Sequence, residues 1–283
     1  MAKNMSMYEG MNIILATMHK KEDAIREPFA SAFNAKIVVP DNYDTDQFGT
    51  FTGEIPRIQT PYETVIQKAK QASLIYGFDY AVSNEGSFGP HPVLFFAPAD
   101  IELMSFIDIK NDITVVESEI STDTNYAHLD IEVTDTYGDF LKKIKFPSHG
   151  IIIRCMDNNI VLAKRISDSP TLEKIISTSF KEYKKLRLET DMRAMMNPSR
   201  MNIIYKLAIK LVERLQNICD HCQSPGFGKI STKGNLSCEM CGTETLLYQF
   251  KVHSCVKCDY QKESSREDGL IKADQKYCPY CNP

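Results

Sequence analysis

Eight of the nine cysteines in this 283-residue chain lie after residue 218, in four Cys-x-x-Cys pairs. Cys219 and Cys222 are followed by Cys238 and Cys241 after fifteen intervening residues; Cys255 and Cys258 are followed by Cys278 and Cys281 after nineteen. Two thiolates on one tight turn present one side of a tetrahedron to a metal ion, and a second such turn completes it, so both spacings suit a zinc ribbon. A chain with no export signal has little use for disulfides, which leaves metal as the reading. Pairing in chain order gives each half its own hairpin and is expected, with cross-braced pairing as the alternative. The 66 residues from 218 to 283 carry few large apolar groups, and so short a segment folds with difficulty unless a metal holds it. Two structural zinc ribbons are therefore expected, over 218–247 and 248–283. The turns after the second thiolate favour residues tolerant of positive φ, here Gly242, Asp259 and Asn282. Because both sets are complete, a catalytic zinc with an open position is not expected.

The remaining 217 residues are long enough for a separate core. With 43% hydrophobic and 25% charged residues, the composition is that of an ordinary soluble protein. The net charge of −4 gives no pull toward nucleic acid or an anionic membrane. Residues 218–283 hold eight Lys and Arg against eight Asp and Glu, and each four-thiolate zinc centre would add two negative charges. Nucleic-acid binding, which rests on a basic footprint, is thus not favoured. The apolar run Met11–Ala16 is too short for a signal peptide or a membrane span, so no membrane association is expected and the reducing cytoplasm is the expected compartment.

Over the first ninety or so residues strands and helices alternate, and from Val93 the pattern turns to strands. Asn12–Ala16 reads as a buried strand, followed by Thr17, His19, Lys20 and Lys21 and a helix striped by Ile25, Phe29, Ala32 and Phe33. Hydroxyl and basic residues at the start of a helix make a plausible phosphate cradle, although lysines there are ordinarily a solvated face. After a strand at Ala35–Val39, residues 41–57 form a polar connection long enough to be a lid or a solvated loop, in which Thr50, Thr52, Glu54 and Arg57 would close over a ligand. Pro61–Tyr76 reads as a helix stopped by Gly77, with Glu63 in its first turn. Tyr80–Ser83 looks like the end of a buried strand that breaks at Asn84, Glu85, Gly86 and Ser87 and continues through Phe88, Gly89, Pro90, His91 and Pro92. A carboxylate, an amide, a hydroxyl and an imidazole would then sit at the carboxyl end of a strand, where α/β sheets bind ligands. Strands are expected at Val93–Ala97, Leu103–Asp108, Ile113–Glu119, His128–Val133 and Gly150–Cys155, and helices at Leu172–Tyr183 and from about Met201 to Asn217. Between the last two lies a polar stretch, Leu188–Arg200.

The order of these motifs resembles the inosine-triphosphate pyrophosphatase superfamily, hydrolases of non-standard purine nucleoside triphosphates. That family's opening strand and polar turn correspond to Thr17–Glu22, with His19 where the family has asparagine and the lysine one residue early. Its helix with a glutamate five residues before Lys-Ala corresponds to Glu63 and Lys68-Ala69, its Glu-Gly to Glu85-Gly86, and its Ser-His-Arg to Ser199-Arg200, here without the histidine. The resemblance implies an α/β fold with a mixed sheet over 1–217, ahead of the zinc ribbons. It further implies that Glu63 and Glu85 hold Mg²⁺ and activate water at the α-phosphorus, so that a nucleoside triphosphate yields monophosphate and pyrophosphate. Thr17, His19, Lys21 and Lys68 would neutralise the phosphates, with Asn84 and Ser87 beside them, and Asn197, Ser199 and Arg200 would face the base. The two carboxylates have an alternative use as helix-cap and turn partners with no metal. The paired-ribbon arrangement also resembles an uncharacterised bacterial family, for which the resemblance supplies no activity. The expected partner is a small nucleotide, with a second copy of the chain left open. The competing reading is a non-enzymatic protein that binds nucleotide, RNA or a protein partner through its ribbons.

Overall fold

The computed structural model describes residues 7–49, 55–56 and 58–283. Thr50, Thr52, Glu54 and Arg57, expected above as lid residues, lie outside the described residues. The chain divides into two compact units, Met1–Val212 and Glu213–Pro283, and the division falls inside the last long helix rather than after it.

In the first unit, three parallel strands, β1 (Asn12–Ala16), β2 (Lys36–Val38) and β3 (Tyr80–Pro90), join two antiparallel ones, β4 (Pro98–Asp108) and β5 (Ile113–Ser121), in the order β2-β1-β3-β4-β5. The sheet is therefore mixed, and the class is α/β. Helix α1 (Glu22–Phe33) links β1 to β2, and α2 (Pro61–Tyr76) precedes β3. β1 is a run of apolar residues because its central side chains are all covered: Ile13, Ile14, Leu15 and Ala16 are buried. Around Phe106 gather Tyr8, Phe29 and Tyr80, with Tyr8 meeting it edge-on at 4.9 Å. On the α2 side, Ala69 and Ala72 let the helix lie close against Ile14 and Ala81.

Thr60 opens α2 with a capping box: its hydroxyl accepts from Glu63 N–H while the Glu63 carboxylate accepts from Thr60 N–H. Gly77 closes the helix at φ +69, a conformation open to glycine at no steric cost.

Two expectations fail here. Tyr80–Pro90 is one continuous strand, paired with β4 along its whole length, because Asn84–Gly89 all keep their cross-strand partners. Val93–Ala97 is the turn joining β3 to β4, in which His91 Nδ1 accepts from the amides of Val93 and Leu94. His91 is thus a turn cap, and Val93, Phe95 and Phe96 stand exposed.

The second sheet of this unit is wholly antiparallel, ordered β6 (His128–Ile131), β9 (Leu186–Thr190), β7 (Ile151–Cys155), β8 (Val161–Ile166). Helices α3 (Gly138–Lys143) and α4 (Ser169–Ser179) accompany it, and its core is built from Ile131, Ile144, Ile151, Ile153, Leu172 and Leu188. The stretch Leu188–Arg200 therefore begins as a strand, and α3 and β8 had no expectation attached to them. Helix α5 (Pro198–Gln216) buries Ile204, Ala208 and Leu211, as its spacing required.

In the second unit, β10 (Gly228–Ser237) and β11 (Glu244–Ser254) form one long hairpin, and β12 (Gln261–Ser265) pairs back along β11. No helix among the described residues is long and apolar enough to cross a membrane.

Candidate functional site

Two sites stand out, one in each unit. The first lies past the carboxyl end of β1. β1 and β3 run parallel with Ala16 beside Ser83, so β3 continues alongside the turn that leaves β1. That turn carries Thr17, Met18 and His19, and Lys20 adopts a left-handed φ of +56 before α1 begins. A cavity of about 50 Å³ is lined there by Thr17, His19, Lys21, Lys68, Glu85 and Arg200. Ala16, Met18, Thr45, Gly49 and Gly86 complete its wall, and of these sequence reasoning had singled out only Gly86, in the Glu-Gly motif.

The charges are arranged pairwise. Lys68 Nζ lies 2.8 Å from Glu85 Oε2, both nearly buried. Arg200 donates from Nε to Glu102 Oε1 at 2.6 Å and from Nη1 to the Met192 carbonyl at 2.6 Å. Glu102 also accepts from Asn84 Nδ2 at 2.9 Å. Gly86 is required at its place: a Cβ would fall 2.6 Å from Glu102 Oε1 and against the Arg200 guanidinium. Lys21 differs from the other cations. Its ammonium is buried and, among the described residues, donates only to the carbonyl of Asn84 at 2.9 Å.

The electrostatics follow from this surplus of cations. Burial, and then Arg200, push the Lys21 pKa down to about 7. Burial, and then Lys21 and Arg200, hold the His19 imidazole down to about 3, so it is neutral at ordinary pH. Burial alone would lower the Arg200 pKa, but Glu102 raises it above the usual arginine value. Asp100 sits two residues from Glu102 on the same face of β4, and burial followed by the Glu102 charge pushes it up to about 8. The shift favours its neutral acid form at pH 7, and both its oxygens are buried. Two acids at alternate positions of one strand were a legible signal of a buried polar face.

Several expected site residues are placed elsewhere. Glu63 is exposed and holds the α2 capping box, a role its first-turn position also allowed, so it does not line the cavity with Glu85. Glu85 in turn faces an ammonium. The residues present do not fit the Mg²⁺ site that the resemblance implies, and no cluster of carboxylates with metal-ligand spacing occurs among the described residues. Ser87 and Asn84 are outside the cavity lining, and Asn84 is tied to it only through its carbonyl, which accepts from Lys21. Asn197 is fully buried: its Nδ2 donates to Asn125 Oδ1 at 2.8 Å and its Oδ1 caps α5 by accepting from Arg200 N–H at 3.0 Å. Ser199 bonds to His149 and lies outside the cavity lining. Beside the cavity, and sharing Thr17 and Met18 with it, runs a wider groove of about 540 Å³ walled by Lys20, Glu22, Asp41, Asn42, Tyr43 and Asp44.

The second site is a pair of four-cysteine sets, and it overturns the chain-order pairing. Cys219 and Cys222 meet Cys255 and Cys258; Cys238 and Cys241 meet Cys278 and Cys281. The reason is the hairpin. β10 pairs with β11 from Gly228 opposite Ser254 to Ser237 opposite Glu244, so its two ends are about 30 Å apart at roughly 3.3 Å per residue. Cys222 precedes one end and Cys238 follows the other, so they cannot share an ion. Cys255 returns along β11 to the first end, and β12 carries the chain back toward the second. The ribbons 218–247 and 248–283 are thus not separate; the unit is one cross-braced module.

Sulfur separations of 3.8 Å (Cys219–Cys258), 3.5 Å (Cys222–Cys255), 4.0 Å (Cys238–Cys281) and 3.5 Å (Cys241–Cys278) match the edges of a tetrahedron around zinc, about 3.8 Å for a Zn–S bond of about 2.3 Å. Backbone amides of Lys257 and Cys258 point at Cys255 Sγ, and that of Cys281 at Cys278 Sγ, as a knuckle around a thiolate requires. Gly242 takes φ +76 as expected, but it is Gln223, not Asp259 or Asn282, that joins it in the left-handed region.

No curated protein matches the chain. Among solved structures, the crystal structure of protein VC0702 from Vibrio cholerae aligns with 71% of this chain and 92% of that one, at 9% identity and a TM-score of 0.32, a likeness too slight to support any statement on fold or activity. A family model described as a domain of unknown function, DUF6671, matches residues 68–283, which takes in Lys68, Glu85, Arg200 and all eight paired cysteines. Since that match covers most of the chain, the protein belongs to the DUF6671 family.

Proposed function

We propose that the first unit binds the phosphate end of a phosphorylated small molecule and that the second unit holds two structural zinc ions. The observation that carries the first half is Lys21, a buried ammonium turned toward a cavity of about 50 Å³ that suits one tetrahedral oxyanion better than a whole nucleotide. A bound anion would add a negative charge in direct contact with the Lys21 ammonium, which Glu102 and Glu85 attract only from farther off, with Thr17 as a hydroxyl donor and the neutral His19 beside it. The organic part of the ligand then occupies the adjoining groove, where Asp41, Asn42 and Asp44 suit hydrogen-bond donors. The test is calorimetry and thermal shift with sulfate, pyrophosphate, sugar phosphates and nucleoside triphosphates on the wild type and Lys21→Met. Stabilisation by these anions that vanishes in Lys21→Met is expected. Equal stabilisation of both proteins, or none of either, overturns the reading.

A second reading, hydrolysis of a nucleoside triphosphate to monophosphate and pyrophosphate, draws on one observation: Glu85 lines the same cavity as Lys21 and can hold a water there. Pyrophosphate release that falls away in Glu85→Gln supports it, and binding without turnover removes it. For the zinc module, balanced charge leaves a structural or protein-docking role ahead of RNA binding.

A further inference from the structure

Ser199 and His149 form a second polar cluster in the first unit, outside the lining of the anion cavity. Its hydrogen bonds fix every proton. Ser199 N–H, which can only donate, lies 3.3 Å from His149 Nε2, so Nε2 carries the lone pair and Nδ1 the hydrogen. Ser148 donates its hydroxyl to the Lys145 carbonyl at 2.6 Å and therefore accepts from His149 Nδ1–H at 3.0 Å. The Ser199 hydroxyl, 3.0 Å from Nε2, can only donate to it, as the closer partner of the one lone pair that it shares with the amide contact at 3.3 Å. A serine thus gives its proton to a neutral imidazole whose far nitrogen is held by a third group, the arrangement that activates a nucleophile. Lys145 Nζ stands 3.4 Å from Ser199 Oγ.

The helix does not need this serine. Its first turn is capped by Asn197, which accepts from Arg200 N–H at its side chain and from Met201 N–H at its carbonyl. The imidazole is buried, with 4% exposure, while Ser199 is only half-buried and Lys145 is exposed. Burial, then Lys145, lowers the His149 pKa from its usual value, which keeps the ring a base at neutral pH.

We propose that Ser199 is a nucleophile activated by His149 and acts on small, unhindered carboxylic esters. Ser199 Oγ attacks the ester carbonyl carbon as its proton passes to His149 Nε2. The ester C–O bond breaks, and the departing alkoxide takes that proton and leaves as the alcohol, with the acyl group on Ser199. A water then attacks the acyl carbon, again giving its proton to His149, and the carboxylic acid departs as Ser199 recovers the proton. The Lys145 ammonium offsets negative charge developing beside Oγ.

The experiment treats the full-length folded chain with a fluorophosphonate and maps the adduct by peptide mass spectrometry, alongside a steady-state assay with p-nitrophenyl acetate. One adduct, on Ser199, is expected, with the neighbouring Ser148 as internal control. Both labelling and hydrolysis are expected to be lost in Ser199→Ala and to slow roughly hundredfold in His149→Gln. Lys145→Met, at an exposed side chain that leaves the fold intact, is expected to slow both about tenfold. If Ser199 labels no faster than Ser148, or if His149→Gln folds normally and labels at the wild-type rate, the proposal fails.

Discussion

The two units bury polar groups for different reasons. In the first, three buried ion pairs stand among the described residues, Lys68 with Glu85, Arg200 with Glu102 and Arg193 with Asp191, while the buried Lys21 ammonium donates to a carbonyl. These pairs rest on a large apolar frame, with one core behind each sheet. In the second, Leu215, Leu236, Val252 and Ala273 are nearly the only buried apolar side chains among the described residues that are not cysteine, and the thiols occupy the place of a core. The contrast shows what each unit requires from outside itself. The first has apolar cores of its own; the second has, where a core would stand, two four-cysteine sets that could hold zinc.

Removal of zinc is the strongest way to test that contrast. A structural zinc contributes about 10–16 kcal/mol in small peptides, so a chelator is expected to unfold residues 213–283 and leave the first unit's melting transition in place. Elemental analysis is expected to give two zinc ions per chain. Cys219→Ser with Cys255→Ser is expected to lose one ion, as either substitution does alone, whereas Cys219→Ser with Cys238→Ser loses both. The reverse outcome would restore pairing in chain order.

Next in size is Arg200→Ala. It leaves Glu102 buried without its cation, which destabilises by about 3–5 kcal/mol in comparable buried pairs, and the loss is to be read in the first unit's denaturation midpoint. A midpoint unchanged from wild type would show that the paired charges do not carry this unit.

Lys21→Met is expected to raise the melting temperature of the ligand-free protein. The folded pKa of Lys21, about 7, lies below the ordinary lysine value, so its buried ammonium destabilises the fold fully below pH 7 and less as pH rises toward about 10.4. Sulfate keeps its charge over that window and is expected to stabilise the wild type more at pH 6 than at pH 9, and the variant at neither. Asp100 has the opposite sign. Its folded pKa of about 8 lies above the usual carboxylate value of about 3.9, so its contribution is full below pH 4 and is lost as pH rises through 8. Asp100→Asn is expected to flatten the fall in stability between pH 4 and 8.

The smallest effect belongs to the α2 cap. Thr60→Ala is expected to lower stability by about 1 kcal/mol without altering anion affinity, since the cap stands apart from the cavity lining. Glu63→Gln, measured by the same titration, is expected to leave anion binding intact.

Much of this molecule was legible in the chain. β1 and α2 with its Gly77 stop follow from apolar runs, helical spacing and a proline–glycine pair of boundaries, all of which act within a few residues, whereas the mixed sheet was implied by the family resemblance alone. The eight thiols announced two metal sites for the same local reason, since each Cys-x-x-Cys turn makes half a tetrahedron by itself. Thr17, His19, Lys21, Lys68, Glu85 and Arg200 were singled out from sequence, and they do line one cavity.

The tertiary structure decided how those halves combine. Which knuckle meets which depended on the length of a hairpin that carries the chain away from its neighbour in sequence and back to a more distant one. Glu63 was expected beside Glu85, yet a hydroxyl three residues before it took its carboxylate for a helix cap. Glycine and proline after Tyr80 suggested a break, but continuous pairing with β4 overrode that local preference. Local chemistry named the residues that could act, because propensity and ligand spacing are properties of short segments. Partnership belonged to the fold, because which groups share a cavity depends on contacts between residues as distant as Glu102 and Arg200, and no short stretch of sequence contains both.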